Sequence, residues 1–191
     1  MSEVAGSQIA EHVAVAQQLA GLAGEVREVG ELLCAAFARG GFIYTLGNGG
    51  SAADAQHLTG ELIGRYRRER RPLPAVTLST DPTVTTCIAN DYSYADVFAR
   101  QVSALARPGD VVIGFTTSGK SASVVSAFAA ARRAGATTVL FGGASGGPAR
   151  ELADRALLVP SAETPRIQEM HTLMLHAISE LVDRWAAGEE A

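Results

Sequence analysis

Five short apolar runs recur along the chain, each ended by glycine, serine or proline: Phe42 to Leu46, Ala75 to Leu78, Val111 to Phe115, Thr137 to Phe141 and Ala156 to Pro160. Runs of this length with such punctuation read as strands buried on both faces. The segments between them carry apolar residues at three- and four-residue steps and read as helices: Ala52 to Ile63, a short one opening at Asp81-Pro82-Thr83 and broken at Asn90-Asp91-Tyr92, Phe98 to Leu105, Ala122 to Arg133 closed by Gly135, a short turn of helix through Leu152, and Arg166 to Trp185. The glycine-rich stretch Gly142 to Pro148 reads as a mobile turn. Alternation of strand and helix implies a mainly parallel sheet covered by helices on both faces.

Before the first strand, Ile9, Val13, Ala16 and Leu19, then Val26, Val29, Leu33 and Phe37, keep helical spacing on either side of Gly21-Leu22-Ala23-Gly24. Two helices broken at those glycines are expected in residues 1–39, packing on a neighbouring subunit, ahead of an α/β core over residues 40–191 in a single domain.

Two loops stand out at the carboxyl ends of their strands, where ligands sit in such sheets. Gly47-Asn48-Gly49-Gly50-Ser51 turns the first strand into a helix, and Thr116-Thr117-Ser118-Gly119-Lys120-Ser121 does the same for the third. The second brings hydroxyls and backbone N–H groups to a helix N-terminus, where first-turn amides lack intrahelical partners and the dipole is positive, which suits an anion. It lacks the four residues between a first glycine and Gly-Lys-Ser that cradle a nucleoside triphosphate, so one phosphoryl group on a small molecule is expected. Lys120 can pair with that group as a point charge or cover the helix end from outside.

Composition narrows the picture. The 191 residues suffice for one well-buried core, and 47% hydrophobic with 19% charged residues is ordinary for a globular domain. A formal net charge of −4 gives no footprint for nucleic acid. The stretch Arg65 to Arg71 holds five arginines and one glutamate with no aromatic stacking pattern, and reads as a solvated or subunit-facing loop. Cys34 and Cys87 have no metal-type spacing and read as buried apolar residues of a reduced protein. No run approaches the roughly 20 apolar residues that span a bilayer, and no signal peptide is visible, so a cytoplasmic location is expected. The only biased tract is the acidic end Glu189-Glu190.

The Gly47 to Ser51 turn, the helix segment His57-Leu58-Thr59-Gly60-Glu61, the pair Asn90-Asp91, the corner Thr117 to Ser121 and Arg166-Ile167-Gln168-Glu169 together resemble the phosphoheptose isomerases. Those enzymes have the sugar-isomerase (SIS) fold, a five-stranded parallel sheet between helices, and the resemblance runs over nearly the whole chain. It implies an aldose–ketose isomerase interconverting sedoheptulose 7-phosphate and D-glycero-D-manno-heptose 7-phosphate. Phosphate is then expected on Ser51, Thr116, Ser118 and Ser121, with Thr117 beside them. The sugar is expected at Asn48, Gly49, Gly50, Asn90, Asp91 and Gln168. Glu61 would be the base and His176 its acid/base partner. The resemblance further implies zinc on His57, Glu61, Gln168 and His176, and a homotetramer. Some relatives carry an acidic residue just before the Arg-Ile-Gln motif, where this chain has Pro165, so any auxiliary proton transfer there is lost.

Residue chemistry agrees in part. An enediol route needs a base near the C–H bond and a proton donor near the oxygens, and Glu61 and His176 are suitable types. His57 and Glu61, four apart, share a helix face. Gln168 and His176, eight apart, are separated on a straight helix by roughly 12 Å and about 80°. Glu169 is better aligned with His176. Either Gln168 precedes the regular helix, or the two residues serve different copies of the site. His171 reads as structural or exposed, and His12 as a surface residue.

A non-catalytic branch of the same fold, tetrameric proteins that associate with a replication initiator, lacks residues of these types at the positions of Glu61 and His176. A sugar-phosphate-sensing regulator would need the phosphate corner without the base. A ketose phosphate of another length is the remaining alternative within enzymes.

Overall fold

The computed structural model describes residues 2–189, so Glu190 of the acidic end lies outside the described residues. The helix α1 (Ser2–Gln18) is followed by a 3-10 turn (Leu19–Leu22) and α2 (Ala23–Ala38). Then come β1 (Ile43–Gly47), α3 (Gly50–Ile63), β2 (Ala75–Thr77), α4 (Pro82–Asp91), a 3-10 turn (Tyr94–Asp96), α5 (Ala99–Leu105) and β3 (Val111–Thr116). The chain ends with α6 (Ala122–Ala134), β4 (Thr137–Gly143), α7 (Gly147–Glu151), β5 (Arg155–Val159) and α8 (Thr164–Ala186). All strand pairs are parallel, in the order β2-β1-β3-β4-β5. The expected α/β sheet with helices on both faces is therefore present.

Alternation along the strands divides the core. Ile43, Ile113, Phe115 and Phe141 face α2, α3 and α8, whereas Tyr44, Leu46, Val112 and Leu140 face α4 to α7. One polar exception sits on the first of these faces. Thr45 on β1 donates to the Ala55 carbonyl (2.9 Å) or engages Thr59 on α3 (2.8 Å) and Thr77 on β2 (2.9 Å). Hydroxyls buried this way must satisfy one another, so the cluster fixes α3 against two strands.

The break between the first two helices falls at Leu19–Leu22, near the expected glycines and including Gly21, with Gly24 inside α2. Other expectations are corrected. α2 packs on its own sheet and α8 through Val29, Leu33 and Phe37, because its apolar stripe matches the face left open there. α1 instead leaves Val4, Ile9 and Val13 exposed, and is tied to α8 by Arg166, which donates to the Gln8 carbonyl, and by His12, 2.8 Å from Glu169. The stretch 142–148 is no loose turn: β4 continues through Gly143 and α7 begins at Gly147. Cys87 is exposed and Cys34 half-buried, since each lies on a helix away from the sheet-facing stripe. Among the described residues no helix is long and apolar enough to cross a membrane.

His171 on α8 is fully buried, edge-on to Phe115 and Phe141, and its Nε2–H donates to the Gly142 carbonyl (3.3 Å). Burial pulls its pKa down to about 4, against a smaller opposing pull from that carbonyl. The unfolded chain takes the proton first as pH falls, so this contribution to stability is full above about pH 6.5 and declines toward pH 4. Chemical denaturation should show stability falling by about 2 kcal/mol between pH 7 and pH 5 from this group. His171→Gln should lose most of that slope.

Candidate functional site

Because the strand order reverses beside β1, the carboxyl ends of β1 and β3 are neighbours and the crevice between them is open. The Gly47 to Ser51 turn and the Thr116 to Ser121 corner both lie there. At the turn, Gly49 has φ +56, which a residue without Cβ adopts at no cost. Ser51 is buried in the first turn of α3 and its N–H donates to the Asn48 carbonyl (3.1 Å). The Asn48 amide is held at both ends: Nδ2 donates to Ser123 Oγ on α6 (3.0 Å), and Tyr94 donates to Oδ1 (2.8 Å). Asn48 thus ties the two loops together.

In the corner, Thr116 Oγ1 accepts from the Gly119 N–H (3.2 Å) and stands 3.4 Å from Ser121 Oγ. Ser118 Oγ accepts from the Lys120 N–H (3.2 Å). Ser121 occupies the cap position of α6, yet its side chain makes no capping bond, which leaves that hydroxyl and the Ala122 and Ser123 amides for another acceptor, while the Val124 N–H donates to the Ser121 carbonyl (3.0 Å). Lys120 is exposed and Thr117 half-buried. Gly119 has φ +65, and a Cβ there would overlap the Gly146 carbonyl, so the corner closes only with glycine.

A second cluster lies at the opposite end of α3. His57 and Glu61, one turn apart on α3, meet His176 of α8: His57 Nε2 is 3.3 Å from Glu61 Oε1 and 3.1 Å from His176 Nε2. One ligand atom from each of the three falls within 4.8 Å of the others. Burial lowers the His176 pKa, as does the nearby His57, with Glu61 opposing. A tetrahedral ion with nitrogen ligands about 2.0–2.1 Å away spaces its donor atoms by roughly 3.3 Å, so these three fit a zinc-type donor set. Gln168 is not among them. It lies on the regular part of α8 and backs onto Gly50, where a Cβ would come within 2.6 Å of its amide nitrogen. The reading in which Gln168 precedes the regular helix is therefore excluded.

Asn90 and Asp91 are exposed at the end of α4 and bond each other, Nδ2 to Oδ1 at 2.8 Å. Three further residues escaped the sequence reading: Ser123 and Tyr94, which hold Asn48, and Tyr66, whose ring stacks on His176 at 5.6 Å and 25°. Tyr66 lay inside the arginine-rich stretch, where only the charges drew notice. A buried pair, Asp54 of α3 and His171 of α8, sits 4.0 Å apart between the two helices, with Asp54 accepting from Thr172 (3.0 Å).

The reversed strand order, paired loops and helical cover define a sugar-isomerase class of domain, and the SIS domain family matches residues 9–143. The chain is 54% identical to the phosphoheptose isomerase of Roseiflexus over 82% of this chain and 79% of that one. It is 44% identical to that of Geotalea daltonii over 99% of both. The solved phosphoheptose isomerase of Neisseria gonorrhoeae superposes with a TM-score of 0.91 at 38% identity, covering 95% of this chain and 98% of that one. The chain belongs to the phosphoheptose isomerase family. A NanR protein of Vibrio vulnificus, solved with ManNAc-6P, shares the fold alone, at a TM-score of 0.70 and 16% identity.

Placing a side chain at Gly119 imposes left-handed strain and displaces Gly146 at the start of α7. Gly119→Ala should weaken binding of inorganic phosphate about tenfold, read by calorimetric titration, with the far-UV spectrum unchanged.

Proposed function

We propose that the protein isomerises sedoheptulose 7-phosphate to D-glycero-D-manno-heptose 7-phosphate in the cytoplasm. The observation that carries this reading is the convergence of His57, Glu61 and His176 within 4.8 Å, in a chain that also offers an anion corner on α6. Ser51, Thr116, Ser118 and Ser121 bind the phosphate, while Asn48, Asn90, Asp91 and the glycine amides hold the sugar. Glu61 removes the proton from the carbon next to the carbonyl while His176 donates to the carbonyl oxygen, giving the enediol; His176 then takes the proton from the other hydroxyl as Glu61 returns its proton to the former carbonyl carbon, giving the aldose. Burial and the neighbouring His57 lower the His176 pKa and favour the neutral ring, which can accept a proton at one nitrogen and donate from the other.

Zinc fits the same three side chains, with Gln168 as a fourth donor from another copy. When bound it would polarise the substrate's oxygens and stabilise the developing negative charge.

Distance argues for an assembled site. Ser51 and Glu61 are ten residues apart on one helix, about 15 Å along its axis. A heptulose phosphate spans about 9 Å from its reacting carbons to phosphorus, with C–C bonds of about 1.5 Å. One copy's corner therefore works with the Glu61–His176 pair of a neighbouring copy, as the second of the two readings of Gln168 requires. The exposed apolar residues of α1 fit packing between copies, and a homotetramer is the proposed particle.

The test is turnover of sedoheptulose 7-phosphate beside fructose 6-phosphate and ribulose 5-phosphate, with and without a chelator. The heptulose should be preferred, and activity should fall with chelation and return with zinc. Glu61→Gln should lower kcat by about 10²–10⁴ while the ligand still binds. A non-catalytic SIS-fold binder would show no turnover before or after that change. Mixing inactive Glu61→Gln with an inactive Ser121→Ala/Ser118→Ala variant should restore part of the activity if the site is shared. Monodisperse, fully active monomer in the ultracentrifuge would rule out the shared site.

A further inference from the structure

The two reacting side chains come from different helices, and one buried ion pair joins those helices directly beside them. Asp183 lies seven residues after His176 on α8, within about 20° of the same face. Its side chain is fully buried and accepts from the N–H groups of Arg67 (3.0 Å) and Arg68 (2.7 Å) and from Arg70 Nε (3.0 Å). The Arg70 side chain is 1% exposed. Its other nitrogens donate to the carbonyls of Leu62 (2.8 Å), Arg71 (2.9 Å) and Glu61 itself. One guanidinium thus closes the last turn of α3, where Glu61 sits, and binds the carboxylate of the helix that carries His176.

Arg65, Arg67 and Arg71 are exposed, as in a solvated loop, whereas Arg70 is spent on helix-end carbonyls, the preferred place for a cation. The backbone that Asp183 gathers presents Tyr66 to the face of the His176 ring, while His57 meets His176 edge-on at 4.7 Å and 81°. Arg67 covers the outer face of Tyr66 at 5.0 Å.

We propose that Tyr66, Arg70 and Asp183 are positioning residues: the Arg70–Asp183 pair sets the separation of Glu61 and His176, and Tyr66 sets the plane of the His176 ring. None of the three needs to touch the sugar. The proposal rests on the reading of Glu61 and His176 as the reacting pair. A buried pair that served stability alone would have no reason to bring an aromatic face onto one catalytic ring.

The experiment compares wild type, Tyr66→Phe, Tyr66→Leu and Arg70→Lys. Tyr66→Leu keeps apolar bulk and loses the flat face, so kcat should fall about 10- to 100-fold with KM within twofold, because misplacement acts on the reacting geometry and not on binding. Tyr66→Phe should restore wild-type kcat. Arg70→Lys keeps the charge and loses the fork, and should lower kcat in the same way. Should Arg70→Lys fail to fold, the two Tyr66 variants decide. Imidazole proton resonances of the metal-free protein give a readout independent of turnover: those of His176 should shift in Tyr66→Leu and stay near wild type in Tyr66→Phe. If wild type turns over no heptulose phosphate, the functional reading fails and the resonances alone judge the positioning. Unchanged kcat in Tyr66→Leu, or His176 resonances equal in all variants, overturns the proposal.

Discussion

The seating of α3 is the constraint from which the chemistry of this fold follows. Thr45, Thr59 and Thr77 share their hydroxyls in a buried space, and a buried hydroxyl left without a partner costs about 1–3 kcal/mol. The helix can slide or rotate only by breaking that arrangement. Its first turn is thereby held at the crevice between β1 and β3, and its last turn is held against α8. A single element carries first-turn amides at one end and a carboxylate at the other.

Reversal of strand order beside β1 explains why two glycine-rich loops, far apart in sequence, share one crevice. Asn48 converts this proximity into a connection, since its amide bridges the turn and α6. In the proposed function the length of α3 separates binding from proton transfer within one chain, and symmetric assembly would reunite them, because a neighbouring copy presents the same helix at another angle.

Much of this was legible in the sequence. The five strands showed as apolar runs because both faces of a parallel sheet are buried, and glycines marked the loops where the backbone must bend sharply. Helical arithmetic already placed Gln168 away from His176, and the structure keeps them apart on one regular helix. What could not be read were contacts that join distant segments. Asp183 is more than a hundred positions from the loop it organises, and nothing local distinguishes it from the other charges of an amphipathic helix. Tyr66 was hidden among arginines whose number suggested solvent. Likewise Thr45, Thr59 and Thr77 belong to three elements, and only the register of β1 with β2 brings them together. Cys87 was misjudged because composition speaks of averages, whereas exposure depends on which side of α4 faces the sheet.

The close approach of the corner to the β4–α7 loop has a mechanical consequence. Gly143 N–H donates to the Thr117 carbonyl (3.1 Å), Ala149 N–H donates to the Gly119 carbonyl (3.0 Å), and Gly119 and Gly146 leave each other no room for a side chain. The two loops therefore behave as one casting: the segment 144–147 serves as the mould that sets the curvature of its neighbour. Lengthening that segment by a residue, well away from any bound sugar, would reshape the anion cradle as surely as changing a serine inside it.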